Sequence, residues 1–126
     1  MTPLSLVQQN YIETIYSLCM EHGHAHTKDI AEALHIRMAS ATEVMQALSA
    51  SGYINYNKRR AVTLTDKGLE IARELHRRHS ILADFFRMIG CPEDLAEEAA
   101  CKVEHNIDGN IAAMIEKHIQ EYSANA

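Results

Sequence analysis

The sequence predicts a mainly α fold: an N-terminal winged helix-turn-helix with a small β-hairpin wing, followed by a C-terminal helical unit. Three observations predict it. Two short amphipathic segments, 27–35 and 39–51, are separated by a brief break and match a helix-turn-helix. Two short β-prone runs around the basic tip "NKRR" follow directly, as a wing would. Apolar residues then recur at three- and four-residue steps through most of the remaining chain.

The first helix is expected in "SLVQQNYIETIYSLCMEHG", with Ser5 and Gln8 as a capping box and Gly23 as the stop. Leu4, Val7, Tyr11, Ile15, Leu18 and Cys19 recur at helical spacing. Asn10 and Glu13, three apart, share another side. In the helix-turn-helix, Thr27 is placed to cap the first helix, with Ile30, Ala31 and Leu34 as its stripe. Val44, Ala47 and Leu48 are expected to face inward on the second, and Gly52 to end it.

The hairpin strands are expected at 53–56 and 61–64. Thr65 then caps a long helix that stops at Gly90, about 24 residues or roughly 36 Å, enough to join two lobes. Pro92 opens a helix over 93–106, and the last helix covers 111–122, with Ile111, Met114, Ile115, His118, Ile119 and Tyr122 as its apolar face. His76 and His118 are expected beside apolar faces, and His22, His24, His26 and His35 at the surface. The domain boundary is placed between 1–72 and 73–126.

Composition narrows the classes. A hydrophobic share of 47% argues against disorder. No apolar run approaches the roughly 20 residues of a membrane span, and "MTPLSLVQQN" lacks the pattern of a signal peptide. A cytoplasmic protein without a membrane partner is expected. Three widely spaced cysteines make a poor disulfide framework. Cys19 reads as a small hydrophobe, whereas Cys101 has metal-binding neighbours.

The net charge of −5 disfavours nucleic acid as a partner until its distribution is considered. Residues 1–56 carry 2 basic and 5 acidic groups, 57–92 carry 8 and 4, and 93–126 carry 2 and 8. The basic middle contains the wing. A charge run such as "NKRR" is ordinarily a solvated turn, but here it follows a recognition helix and suits DNA phosphates. The DNA-facing residues are therefore expected to be Arg37, Lys58, Arg59 and Arg60 for phosphate, and Ser40, Thr42, Glu43 and Gln46 for base edges, with Thr27 beside them. Glu43 is the unfavourable member, because a carboxylate near phosphate repels.

The remaining chemistry lies in "EEAACKVEH". On a helix, Cys101, Glu104 and His105 stand at i, i+3 and i+4 and share one face. Thiolate, carboxylate and imidazole all donate to divalent transition metals. Three local donors are not a full shell, and in a chain with eight histidines an incidental cluster is the competing reading. Glu97, four residues before Cys101, reads as an exposed acid.

"YIETIYSL", "DIAEAL", "VTLTDKG", "RRHSIL" and "ACKVEH", in this order, resemble the metal-dependent transcription repressors of the diphtheria toxin repressor and manganese transport regulator type. The resemblance spans about residues 4–122, in the short two-domain form. It implies a winged-helix domain, a C-terminal helical dimerisation domain and a metal site with Asn10, Glu13, His79, Cys101, Glu104 and His105 as ligands. Manganese-type members carry carboxylates where this chain has Asn10 and Cys101; iron-type members share the cysteine but have Met at the first position. A second family site uses an acid four residues beyond the connecting-helix histidine, where this chain has Ala83, followed by Asp84.

The resemblance implies a homodimer that binds a near-palindromic double-stranded operator when metal is bound, and a repressor of metal-uptake genes rather than an enzyme. The thiolate and imidazoles favour softer, later ions over manganese(II). Iron(II) fits the mixed donor set and the cysteine-containing branch of the family and is expected first, manganese(II) next, with zinc(II) or cobalt(II) binding in vitro. Three rivals stand beside this reading. A di-iron enzyme would need paired Glu-x-x-His motifs, which are missing. A winged-helix regulator could sense an organic ligand, or the redox state of Cys101, without metal.

Overall fold

The computed structural model describes residues 4–57 and 59–124; Lys58, expected at the wing tip, lies outside the described residues. The element order is α1 (Leu6–His22), α2 (Thr27–Leu34), α3 (Met38–Ala50), β1 (Ile54–Asn55), β2 (Thr63–Leu64), α4 (Asp66–Met88), α5 (Glu93–Val103) and α6 (Gly109–Ala124). The chain divides into two units, Met1–Arg73 and Glu74–Ala126.

In the first unit, α1 begins with the expected capping box. Gln8 N–H donates to Ser5 Oγ at 3.1 Å, and Ser5 N–H donates to Gln8 Oε1 at 3.0 Å. Gly23 ends it in the left-handed region, its N–H on Cys19 O. Tyr11, Ile12 and Ile15 are buried, whereas Val7, an expected stripe member, is 55% exposed on the first turn. Cys19 packs half-buried against the core, and burial pushes its thiol above the usual value. A thiol held protonated in this way is a packing group rather than a nucleophile.

The helix-turn-helix forms with two corrections. Thr27 opens α2 but is not its cap: His26 occupies that position and no side chain caps the helix. On α3 the inward residues are Ala41, Met45 and Leu48, while Ala47 is exposed. Steps of four and three from Ala41 give a coherent stripe, and Ala47 lies about 100° from Leu48 around the axis. The turn itself is tight. His35 adopts φ 56° and ψ 46°, and its N–H and that of Ile36 bond back to Glu32 O and Ala31 O. A side chain in that region is strained by about 1 kcal/mol or more. His35→Gly is therefore expected to raise the urea midpoint without changing the slope, a gain of about 0.5–1 kcal/mol once the extra freedom of the unfolded glycine is counted.

The wing is shorter than the propensities suggest. Among the described residues, β1 and β2 pair at Ile54↔Leu64 and Asn55↔Thr63, antiparallel. A bridge between Ala25 and Val62, with Val62 N–H on Ala25 O at 2.6 Å, ties the α1–α2 loop to the wing base. Asn57 shapes the tip: its Oδ1 accepts from Arg59 N–H at 3.0 Å and its carbonyl from Arg60 N–H at 2.9 Å. Thr65 caps α4 as expected, Oγ1 accepting from Gly68 N–H at 3.2 Å while its own hydroxyl donates to Gly52 O at 2.6 Å.

In the second unit, Leu82, Ala83 and Ala100 are buried, with Phe86, Ile107 and Ile115 packed against them. The α5 helix ends at Val103 rather than at 106. His76 and His118 are exposed rather than packed. Much of the expected apolar face of α6 is also open: Ile111, Met114 and Tyr122 are 47%, 65% and 61% exposed, while Ala112 is buried and Ile115 packs against the core. No helix among the described residues is long and apolar enough to cross a membrane.

Candidate metal centre and nucleic-acid interface

Four of the six expected ligands belong to the second unit. His79 sits within α4, Cys101 in the last turn of α5, and Glu104 and His105 just beyond it. Although α5 ends at Val103, Glu104 keeps helical angles (φ −56°, ψ −32°) and its N–H bonds to Ala100 O. That helical continuation by one residue keeps residues 101 and 104 on one face.

Glu104 is the centre of the cluster. It is 2% exposed, and it is the buried charged residue among those described. Its Oε2 lies 2.9 Å from His79 Nδ1, and its Oε1 lies 3.3 Å from His105 Nε2. Cys101 Sγ lies 3.8 Å from the same His79 nitrogen. The donor atoms of His79, Cys101 and Glu104 all fall within 4.8 Å of one another. A carboxylate buried this deeply is costly without compensating positive charge. Nitrogen, sulfur and oxygen donors converging on it suit a divalent transition ion, so the residues fit the metal that the motif implies.

The far side of His79 is also engaged. Nε2 lies 2.5 Å from Glu97 Oε2. Glu97 Oε1 accepts from Arg87 Nη2, which also bonds Glu93 at 2.7 Å. Arg87 Nε reaches the other Glu93 oxygen at 2.7 Å, and Nη1 reaches Asp84 at 2.9 Å. The hydrogen bond from His79 holds the Glu97 carboxyl below its usual value, and the hydrogen bond from Arg87 does the same to Glu93. Neither Glu97 nor Arg87 was expected from the sequence at this site. The available signal was the four-residue step from Glu97 to Cys101, which puts both on one face of α5.

Asn10 and Glu13 lie on α1 in the first unit, three residues apart and half-buried. At the second family position Ala83 is buried in the core, and Asp84 instead pairs with Arg87.

On the helix-turn-helix, Arg37, Ser40, Glu43 and Gln46 are exposed on or beside α3, as are Arg59 and Arg60 on the wing. Thr27 and Thr42 are half-buried. Thr42 Oγ1 donates to Met38 O at 2.9 Å, which commits its proton to its own helix and leaves it as an acceptor.

A winged helix-turn-helix followed by a helical unit that gathers transition-metal donors defines the class of metal-responsive DNA-binding regulators. The chain belongs to the iron dependent repressor family: the family's N-terminal DNA binding domain matches residues 3–62, and its metal binding and dimerisation domain matches residues 65–125. It is 37% identical over 117 residues to the HTH-type transcriptional regulator MntR of Lysinibacillus sphaericus, covering 93% of this chain and 84% of that protein. The MntR regulator of Bacillus subtilis is 39% identical over 102 residues, 81% of this chain and 72% of that protein. A solved manganese-dependent transcriptional repressor in complex with manganese superposes with a TM-score of 0.80 at 28% identity, covering 90% of this chain and 52% of that one.

The expected preference for iron(II) over manganese(II) finds no support in these relatives, of which the solved repressor is manganese-dependent. Donor softness alone does not choose the ion. Softness orders affinity in a test tube, whereas geometry and availability select the ion. Here the soft donor, Cys101, is exposed, and the buried donor is the hard carboxylate of Glu104.

Proposed function

We propose that the chain is a metal-dependent transcriptional repressor of metal-uptake genes, activated by manganese(II). The observation that carries this reading is the convergence of His79, Cys101 and Glu104 in a chain that also bears a winged helix-turn-helix. The proposed ligand set is His79, Cys101, Glu104 and His105, with Asn10 and Glu13 added on the family motif. When bound, the ion supplies positive charge to offset the buried carboxylate and a shared coordination point for its donors. The residues of this chain do the rest. Glu104 and His105 anchor the end of α5, and His79 holds α4 to it.

Residues 1–72 are the proposed DNA-binding domain and 73–126 the metal-binding and dimerisation domain. The open apolar face of α6, with Ile111, Met114 and Tyr122, supports a homodimer. Two copies would present two α3 helices to a near-palindromic operator, in the cytoplasm.

The test is a metal panel of manganese(II), anaerobic iron(II), cobalt(II) and zinc(II), read by fluorescence anisotropy on the DNA upstream of the chain's own gene. Manganese(II) is expected to raise affinity by about 5- to 150-fold, the usual span of coupling between two sites. A response to none of the ions would overturn the reading in favour of a regulator of organic ligands or redox state. In the same assay Arg59→Ala should weaken all sequences alike and reduce the salt slope by about 1.

A further inference from the structure

His79 is engaged at both ring nitrogens: Nδ1 faces Glu104 and Cys101, and Nε2 faces Glu97. We infer that Glu97, held by Arg87, is a positioning residue of the metal centre: its carboxylate accepts the Nε2–H of His79 and so presents the Nδ1 lone pair to the ion. The inference rests on the metal reading of His79 and goes beyond it, because Glu97 itself is not a ligand.

The geometry favours this role over two others. The nitrogens of an imidazole point away from each other, so an oxygen bonded to Nε2 lies on the opposite side of the ring from an ion at Nδ1. Glu97 is therefore badly placed to join that ion's shell. Nor is it an ordinary surface ion pair. Both of its oxygens are committed, Oε2 to His79 and Oε1 to Arg87. Arg87 is itself fixed by a two-point contact with Glu93 and a bond to Asp84. A forked guanidinium locked in this way holds a carboxylate in one orientation despite the 45% exposure of the Glu97 side chain. A neutral imidazole carries one N–H. If that hydrogen is bonded away at Nε2, Nδ1 must be the free donor, and the ring cannot turn to offer the wrong nitrogen. Arg87, Glu97, His79 and Glu104 thus form a continuous polar chain, with the metal-facing nitrogen as its functional end.

The experiment uses the full chain and zinc(II), which is diamagnetic. Affinity is measured by competition with a chelator, and long-range proton–nitrogen NMR identifies the ligating nitrogen of His79. Wild type should bind zinc through Nδ1, with a protected Nε2–H. Glu97→Ala should weaken binding by about 10- to 100-fold, the usual cost of losing an outer partner of a ligand, and the Nε2–H should lose its protection. Glu97→Gln should recover most of the affinity, because its amide oxygen still accepts that hydrogen. Zinc binding in wild type without His79 would overturn the metal reading itself. Wild-type affinity and intact Nδ1 ligation in Glu97→Ala would overturn the positioning role alone. A second zinc equivalent bound by wild type and lost in Glu97→Ala would also overturn it, by making Glu97 a ligand.

Discussion

Glu104→Ala is expected to abolish metal-dependent DNA binding and to weaken manganese(II) binding by more than about 100-fold, beyond the usual cost of losing a merely supporting partner. The size follows from the position of the carboxylate. Glu104 is 2% exposed, faces His79 with one oxygen and His105 with the other, and brings the negative charge that an ion at this point must meet. Glu97 cannot substitute, because it lies on the other nitrogen of His79. Glu104→Gln separates charge from shape. It keeps an oxygen acceptor and nearly the same volume, so it should fold as well as wild type while still losing the ion. Without metal, Glu104→Ala should cost about 1–3 kcal/mol of stability, because the imidazole of His105 loses a buried acceptor. Calorimetric titration and urea unfolding read the two effects separately. Normal manganese(II) affinity in Glu104→Ala would remove this carboxylate from the ligand set.

The site was legible in part because helical spacing carries local information. Cys101, Glu104 and His105 share a face by arithmetic, and the helical angles of Glu104 keep it on the face of Cys101 even though α5 ends earlier than expected. His79 came from the family motif, since nothing local ties it to residues 25 positions away. Glu97 and Arg87 were missed because a Glu and an Arg on polar faces look like solvated side chains until α4 and α5 are placed side by side. The same limit explains the fold. Caps at Ser5 and Thr65 and the stop at Gly23 were readable, because each is a local hydrogen-bond problem with few solutions. The phase of α3 was not. Val44, Ala47 and Leu48 are all apolar, and only packing against the unit's core selects Ala41, Met45 and Leu48 for the interior. In α6 the periodicity was correct, but an apolar stripe does not say whether its own chain or a second copy covers it.

The second large effect lies in the DNA-binding unit. Gly68→Ala is expected to destabilise the chain by about 3 kcal/mol or more and to remove DNA binding with it. Helix propensity alone predicts the opposite sign, since alanine in place of glycine within a helix gains about 1 kcal/mol. The surroundings reverse it. A Cβ on Gly68 would lie 2.0 Å from the carbonyl oxygen of Tyr53 and 3.1 Å from its carbon. Both are backbone atoms, so no rotamer change relieves the overlap. The backbone cannot easily withdraw either. Tyr53 O accepts from Thr65 N–H at 3.1 Å, Thr65 bonds Gly52 O, and Lys67 lies 4.3 Å over the Tyr53 ring while bonding Ser51 O. These contacts join the start of α4 to the corner between α3 and β1, so relief of the clash would displace the recognition helix or the wing. Gly109→Ala is the control. There the new Cβ meets Arg78 and Glu74 side-chain atoms at 3.5 and 3.7 Å, ordinary contact distances, and the change should be neutral or slightly stabilising. Urea midpoints of the two variants should therefore move apart, and a Gly68→Ala protein as stable as wild type would show that the approach of α4 to Tyr53 is not what fixes the wing.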